Sequence, residues 1–331
     1  MKYKRLSPLD REMIFKGLQL EWDYKTIAKV LDRSESTIGR EIYRHGGASG
    51  YSPSQAQEKS KALAMERHKK KYKLIVGNEL YKVVYNYLRL KWSPRQISNQ
   101  LNEEFPNRKE MQVSAETIYE FIYVQTKGTL KKELIKYLRQ KKRNRKPSKG
   151  RTEKRGKITE MISIDQRPAE VAHRIVPGHW EGDLIMGKGN KSQLGTLVER
   201  KTRYVILVPL KSKETTEVRK SFQTAFKKFP KSLTKTLTYD QGKEMAEHSK
   251  FTLVTKMKVF FCDPGSPWQR GTNENTNMLV RDFFPKGTDF TKLKPKEIKW
   301  VQEALNERIR ETLFWKSPKY EMNQLLAKAV I

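Results

Sequence analysis

Cysteine is almost missing from this chain. The single Cys262 has no partner for an intramolecular disulfide, and it excludes a cysteine-based zinc site. One cysteine also suits a reducing compartment. Long apolar runs are missing as well: no stretch reaches the roughly 20 residues that a membrane-spanning helix needs. The opening residues, MKYKRLSPLDREMIF, lack a sustained apolar core and do not read as a secretory signal. Together these absences point to the cytoplasm. Acids are scarce beside bases: 37 Asp and Glu stand against 69 Lys and Arg, a formal charge of +32. That excess points to a polyanionic partner, and to nucleic acid before a membrane surface. A chain of 331 residues has room for two or three domains and at least one sizeable core.

What is present begins with helices. In LSPLDREMIFKGLQL a Ser-Pro start precedes Leu9, Met13, Ile14 and Leu18 at helical spacing. YKTIAKVLDRSESTIGREIYRHG then gives two short helices around a polar break at Asp32–Glu35. Ile27, Ala28 and Leu31 supply one apolar face; Ile38 and Ile42 supply the other. This is the pattern of a helix-turn-helix over residues 1–46, whose second helix enters the major groove of DNA. Ser36, Thr37, Arg40 and Arg44 are its candidate DNA-facing side chains.

Residues 47–138 read as a further helical region holding a second helix-turn-helix. Ser93-Pro94 is a cap and first-turn pair, with Ile97 and Leu101 behind it. VSAETIYEFIYVQT follows, capped by Ser114, with Thr117, Ile118, Phe121 and Ile122 at helical spacing. Its candidate reading residues are Ser114, Glu116, Thr117 and Tyr119, none of them basic. Residues 139–160 read as a basic linker: RQKKRNRKPSKGRTEKRGK has no apolar residue to bury and suits contact along phosphates.

From 161 to 331 the periodicity changes to strands alternating with helix. GDLIMGKG is a short apolar run. Leu194–Val198 and Tyr204–Leu207, split by the turn ERKTR, form a hairpin. Val218, Phe222, Ala225, Phe226 and Phe229 mark an amphipathic helix. LTKTLTYD and MKVFFCD are further strands, and helices continue from about Thr272. The expected fold is multidomain: an all-α helix-turn-helix region followed by an α/β, RNase H-like catalytic domain with terminal helices.

Three acids stand out on this scaffold. Asp183 lies inside an apolar strand, Asp240 ends another, and Glu274 sits near a helix start. Alone, each has an ordinary explanation: a buried Asp with a partner, a turn Asp, a first-turn Glu. Together, in that strand order and in a basic chain, they suit phosphoryl transfer on DNA. A phosphodiester attacked in line sheds negative charge, which two Mg²⁺ ions on hard carboxylate oxygens can absorb; Mn²⁺ could substitute. Asp183 would be the shared ligand, with Asp240 and Glu274 each holding one metal. Water attacks first, then a freed 3′-hydroxyl. Arg281, two turns after Glu274, shares its helix face and is a candidate phosphate contact. His179, Asn273 and Asn275 are candidate neighbours of the site.

The segments HWEGDLIMGKGNKS, GTLVERKTRYVILVPL, LTYDQGKEMAEH and GSPWQRGTNENTNMLVRDFFPKGTD resemble the insertion sequence 30 family of bacterial DDE transposases. The resemblance runs from about residue 1 to 320 and is strongest over 177–290. The 34-residue interval from Asp240 to Glu274 suits that family. It implies Asp183, Asp240 and Glu274 as a catalytic triad with Mg²⁺, and a helix-turn-helix region on terminal inverted repeats. It also implies a circular intermediate, work on the bacterial nucleoid, and a homodimer or higher assembly on two DNA ends. LNERIRETLFWKSP departs from the family's Asn-x-Arg-Pro-Arg-Lys-Thr-Leu-Gly pattern: Ile309 replaces Pro, Glu311 replaces Lys and Phe314 replaces Gly. Two other readings fit the same residues, a DNA-binding regulator without catalysis and a structure-specific nuclease on the same core.

Overall fold

The structure is a computed structural model. It describes residues 5–68, 72–138, 158 and 160–329. The chain divides into two compact units, Met1–Tyr72 and Lys73–Ile331. Among the described residues no helix is long and apolar enough to cross a membrane.

The first unit is helical. Helix α1 (Pro8–Gln19) starts at a capping box: Asp10 N–H donates to Ser7 Oγ at 3.1 Å, and Ser7 N–H to Asp10 Oδ2 at 2.9 Å. Each bond satisfies an amide that the helix leaves unpaired. Asp23 caps α2 (Tyr24–Val30) through Thr26 N–H at 2.8 Å. Helix α3 (Glu35–Arg44) buries Ile38 and Ile42 against Ile14, Ile27 and Ala28. Its opposite face exposes Ser36, Arg40 and Arg44. The sequence pattern places the boundary at residue 46. The unit runs further, because Tyr51 and Ala56, at the start of helix α4 (Pro53–His68), are buried in the same core.

The second unit opens with α5 (Glu79–Arg89), α6 (Pro94–Glu104), α7 (Ala115–Glu120) and α8 (Gly128–Tyr137). A Ser93–Gln96 capping box starts α6. Ser114 Oγ accepts from Thr117 N–H at 3.1 Å to start α7. Leu88, Ile97, Leu101, Ile118 and Phe121 share their core. The link between α6 and α7, residues 105–113, includes a short 3-10 turn at Lys109–Met111. It is longer than the three or four residues of a tight helix-turn-helix. Residues 139–157 of the expected basic linker lie outside the described residues.

Five strands follow: β1 (His179–Met186), β2 (Gln193–Glu199), β3 (Val205–Leu210), β4 (Thr236–Tyr239) and β5 (Lys258–Phe261). Their order across the sheet is β3-β2-β1-β4-β5. The first three are antiparallel; β4 and β5 run parallel to β1. Helices α9 (Thr215–Phe226) and α10 (His248–Thr255) cover one face around Trp180, Leu197, Phe222, Tyr239 and Phe251. Helices α11 (Gly271–Phe283) and α12 (Pro295–Glu307) cover the other around Ile185, Val198, Val205, Leu279 and Leu305. This is the RNase H-like arrangement expected from the sequence. Gly182 permits a close approach at its centre: a Cβ there would lie 2.8 Å from the ring of buried Tyr239.

Residues 308–316, between α12 and the last helix α13 (Pro318–Ala329), turn back onto the helical part of the same unit. Ile309 is buried in the core of α5–α8. Gln96 Nε2 donates to Ile309 O at 2.6 Å, and Arg308 to Lys91 O at 2.6 Å. Glu311 pairs with Arg95 at 2.7 Å, and the Arg95 guanidinium lies 5.4 Å from the Trp315 ring centre. So the departures at Ile309 and Glu311 serve packing between two parts of one unit. Phe314 is different. It adopts φ 51°, left-handed backbone that suits glycine, and stands 90% exposed. The left-handed form costs a residue with a Cβ about 1–2 kcal/mol, and an exposed ring regains little of that by burial. Phe314→Gly is therefore expected to keep or raise the melting temperature, by up to about 2–4 °C; a clear loss in a thermal melt would show that the ring is structurally needed.

Candidate active site

Asp183 sits mid-strand on β1, directly across from Thr196 on β2. Asp240 follows the last residue of β4, the strand parallel to β1 on its other side. Adjacent strands lie about 4.8 Å apart, so this topology brings both carboxylates to one end of the sheet. Arg270, in the short turn before α11, joins them. Its guanidinium is 3.3 Å from Asp183 Oδ1 and 3.4 Å from Asp240 Oδ2, and it donates to Gly182 O at 2.8 Å. Burial raises the pKa of Asp183 above its ordinary value. Arg270 opposes that shift and Asp240 adds to it.

Glu274 reaches the same place from α11. It is exposed, and with Asp183 it lines one cleft of about 1130 Å³. Asn277, one turn on from Glu274, donates to Asp183 Oδ2 at 2.8 Å. What fixes this helix is Asn273. Its Nδ2 donates to Glu181 O at 2.9 Å and Thr196 O at 3.3 Å, and its N–H to Glu181 Oε2 at 2.8 Å. Thr196 Oγ1 lies 3.0 Å from Asn273 Oδ1 and 2.9 Å from Asn277 Oδ1. Glu181 is itself fully buried and paired with Arg200. The start of α11 is thus bonded to both central strands.

The other expected neighbours separate. Asn273 is fully buried and belongs to the sheet-to-helix joint, so it has no surface for DNA. Asn275 is exposed and lines the cleft. His179 stands at the far end of β1, roughly 13 Å of strand from Asp183. It is not a neighbour of the acids: its Nδ1 bonds Thr236 Oγ1 at 2.8 Å, and Nε2 lies 3.3 Å from Glu170. Arg281 lines the cleft but already donates to Met186 O at 2.5 Å and approaches Phe284 O and Pro285 O at 3.4 Å. It closes a loop as well as facing the cleft. Ser36 and Arg40 are joined on the open face of α3, where Arg40 Nε donates to Ser36 O at 2.9 Å; Thr37 bonds Ser34 at 2.8 Å. Arg44 is exposed on that face. Ser114 and Thr117 bond each other at 2.9 Å at the start of α7.

The sequence pattern missed Arg270 and Glu244. Arg270 had a signal, a lone cation four residues before Glu274. Glu244 had little: it lies after a turn, yet shares a second hollow with Asp240, Lys213 and Lys243. Burial raises its pKa, with Asp240 and Asp183 adding to the shift.

Two outcomes follow. Asn273→Ala leaves the buried Glu181 and Thr196 carbonyls short of a donor and should cost about 1–3 kcal/mol in chemical denaturation. Asn273→Asp should cost more, since it faces those oxygens with another acceptor. For Asp183 the pKa is raised on folding, so its charged form costs stability above the folded pKa, and that cost disappears below 3.8. Asp183→Asn should therefore melt no lower than wild type at neutral pH, with any gain shrinking as pH falls through the carboxylate range.

Comparison with known proteins agrees with this architecture. Residues 173–267 match an integrase core domain, a span that contains Asp183 and Asp240 and stops short of Glu274. Residues 2–45 match a helix-turn-helix domain. The chain is 40% identical over 326 residues to the transposase for insertion sequence element IS1086 of Cupriavidus metallidurans, covering 98% of this chain and 96% of that one. It is 40% identical over 321 residues to the transposase InsI for IS30A of Escherichia coli, covering 95% and 82%. It is 34% identical over 325 residues to the transposase for IS4351 of Bacteroides fragilis, covering 98% and 97%. A transposase with an integrase core is an enzyme of the polynucleotidyl-transferase type that binds DNA. On residues, fold and relatives together, this chain belongs to the insertion sequence 30 family of transposases.

Proposed function

We propose that this transposase cleaves DNA at the ends of its element and joins the freed 3′-hydroxyl to a target, with Asp183, Asp240 and Glu274 as its catalytic acids. One observation carries the reading: a single guanidinium, Arg270, already satisfies Asp183 and Asp240 together. Two carboxylates that share one cation are close enough to share another. Among the described residues no three such side chains stand near enough to enclose an ion as they are. The donor set still fits: hard carboxylate oxygens, with Arg270 as the cation to be displaced. Asp183, Asp240 and Glu274 would hold Mg²⁺, or Mn²⁺ in its place, which when bound supplies positive charge to the scissile phosphate and acidifies the attacking hydroxyl.

The protein's own part is placement. Asn277 fixes the Asp183 carboxylate, and Asn273 fixes the helix that carries Glu274. Exposed Ser36, Arg40 and Arg44 on α3 suit reading of the element's terminal inverted repeats. Exposed Asn275 and the outer edge of Arg281 suit the DNA strand at the acids. Two ends cut in concert need two active sites, which favours a dimer or higher assembly in the cytoplasm, and a circular intermediate accords with the family.

The test is nicking and strand transfer on DNA bearing the element's own flanking sequence. Wild type is expected to nick with Mg²⁺ and to join the 3′ end to a second duplex. Asp183→Asn, Asp240→Asn and Glu274→Gln should each lose both activities by at least about 100-fold while still binding DNA. Failure of the wild type to cut would leave a DNA-binding regulator; cutting without joining would leave a nuclease.

A further inference from the structure

The wall of the cleft facing the acids comes from the α5–α8 helices. Tyr119 on α7 and Tyr123 in the wide turn after it project into the cleft that Asp183 and Glu274 line. They are one helical turn apart. Their rings lie nearly parallel, 6.3 Å between centres and 15° between planes, and stay 37% and 45% exposed. Lys91, Lys136 and Lys286 line the same cleft. Exposed, parallel tyrosines do little for the fold. Their side of α7 also differs from Ser114 and Thr117, which bond each other at its start.

We infer that Tyr119 and Tyr123 form a stacking platform for unpaired nucleotides at the DNA end, holding them beside the catalytic acids. This rests on the catalytic reading above. The chemistry selects the ligand. Bases inside a duplex offer only their edges, whereas a π-face is available once a base leaves the stack. Lysines around a pair of rings supply the phosphate contacts that an unpaired strand needs. The volume, about 1130 Å³, exceeds the roughly 300–1,000 Å³ of sites for drug-sized ligands and suits several nucleotides. Stacking is tolerant of sequence, so the platform would accept ends of any base.

The experiment is binding without divalent metal, which needs no catalysis. A short duplex ending blunt is compared with the same duplex ending in a few unpaired nucleotides, by fluorescence anisotropy. Wild type should prefer the unpaired end by at least about tenfold. The double variant Tyr119→Leu, Tyr123→Leu should lose that preference yet bind the blunt duplex as before; the Phe pair should keep it. Photocrosslinking of 5-iododeoxyuridine in the tail should label Tyr119 or Tyr123. Equal affinity of wild type for both ends, or a Leu pair that keeps the preference, would overturn the platform. Absence of Mg²⁺-dependent nicking with the preference intact would instead fault the catalytic reading.

Discussion

The whole site hangs on one buried amide. Asn273 holds the first turn of α11 to β1 and β2, through Glu181 and Thr196. Those strands carry Asp183 and its cross-strand neighbour. Without that joint the helix that carries Glu274 keeps its apolar stripe at Leu279 and Val280 and the bonds of Asn277 further along, but loses the ties at its first turn. Apolar packing is non-directional; hydrogen bonds from a single side chain to two strands are not. The cost is a carboxylate, Glu181, that must be buried with Arg200 to receive the helix N–H. The sheet centre therefore stores polar groups where an ordinary sheet would be oily.

Asp183 and Asp240 stand out in the sequence because one interrupts and the other ends an apolar run, Glu274 because it opens a helix; the hairpin of β2 and β3 is legible in its two apolar runs and the turn between them. Their supports were not. Asn273 reads as a neighbour of the site and Asn277 as an ordinary helix residue; in the structure Asn273 is fully buried against the strands and Asn277 donates to Asp183. Arg270 precedes the helix in a turn whose path no periodicity describes. His179 was misplaced for the opposite reason: four residues look near on paper, but an extended strand sets them roughly 13 Å apart. The first unit runs past residue 46 because Tyr51 and Ala56, in what reads as the next helical region, complete its core.

The departures in LNERIRETLFW also change meaning in three dimensions. Ile309 buries against the α5–α8 core and Glu311 meets Arg95. Proline at 309 would fill less of the apolar core that Ile309 enters, and lysine at 311 would face an arginine. Ile309 is thus matched to the α5–α8 core and Glu311 to Arg95 on α6. Only Phe314, strained and exposed, has no such partner to explain it.

That segment also orders events in time. The cleft takes one wall from residues 73–138, and residues 308–316 pack against that wall; 169 residues of chain separate the two parts. At about 5–20 residues per second of synthesis, that interval lasts roughly 10–35 s. For at least that long a nascent chain carries a complete helix-turn-helix unit and no finished cleft. On the proposed function, the molecule can find DNA near its own ribosome before it becomes able to break it.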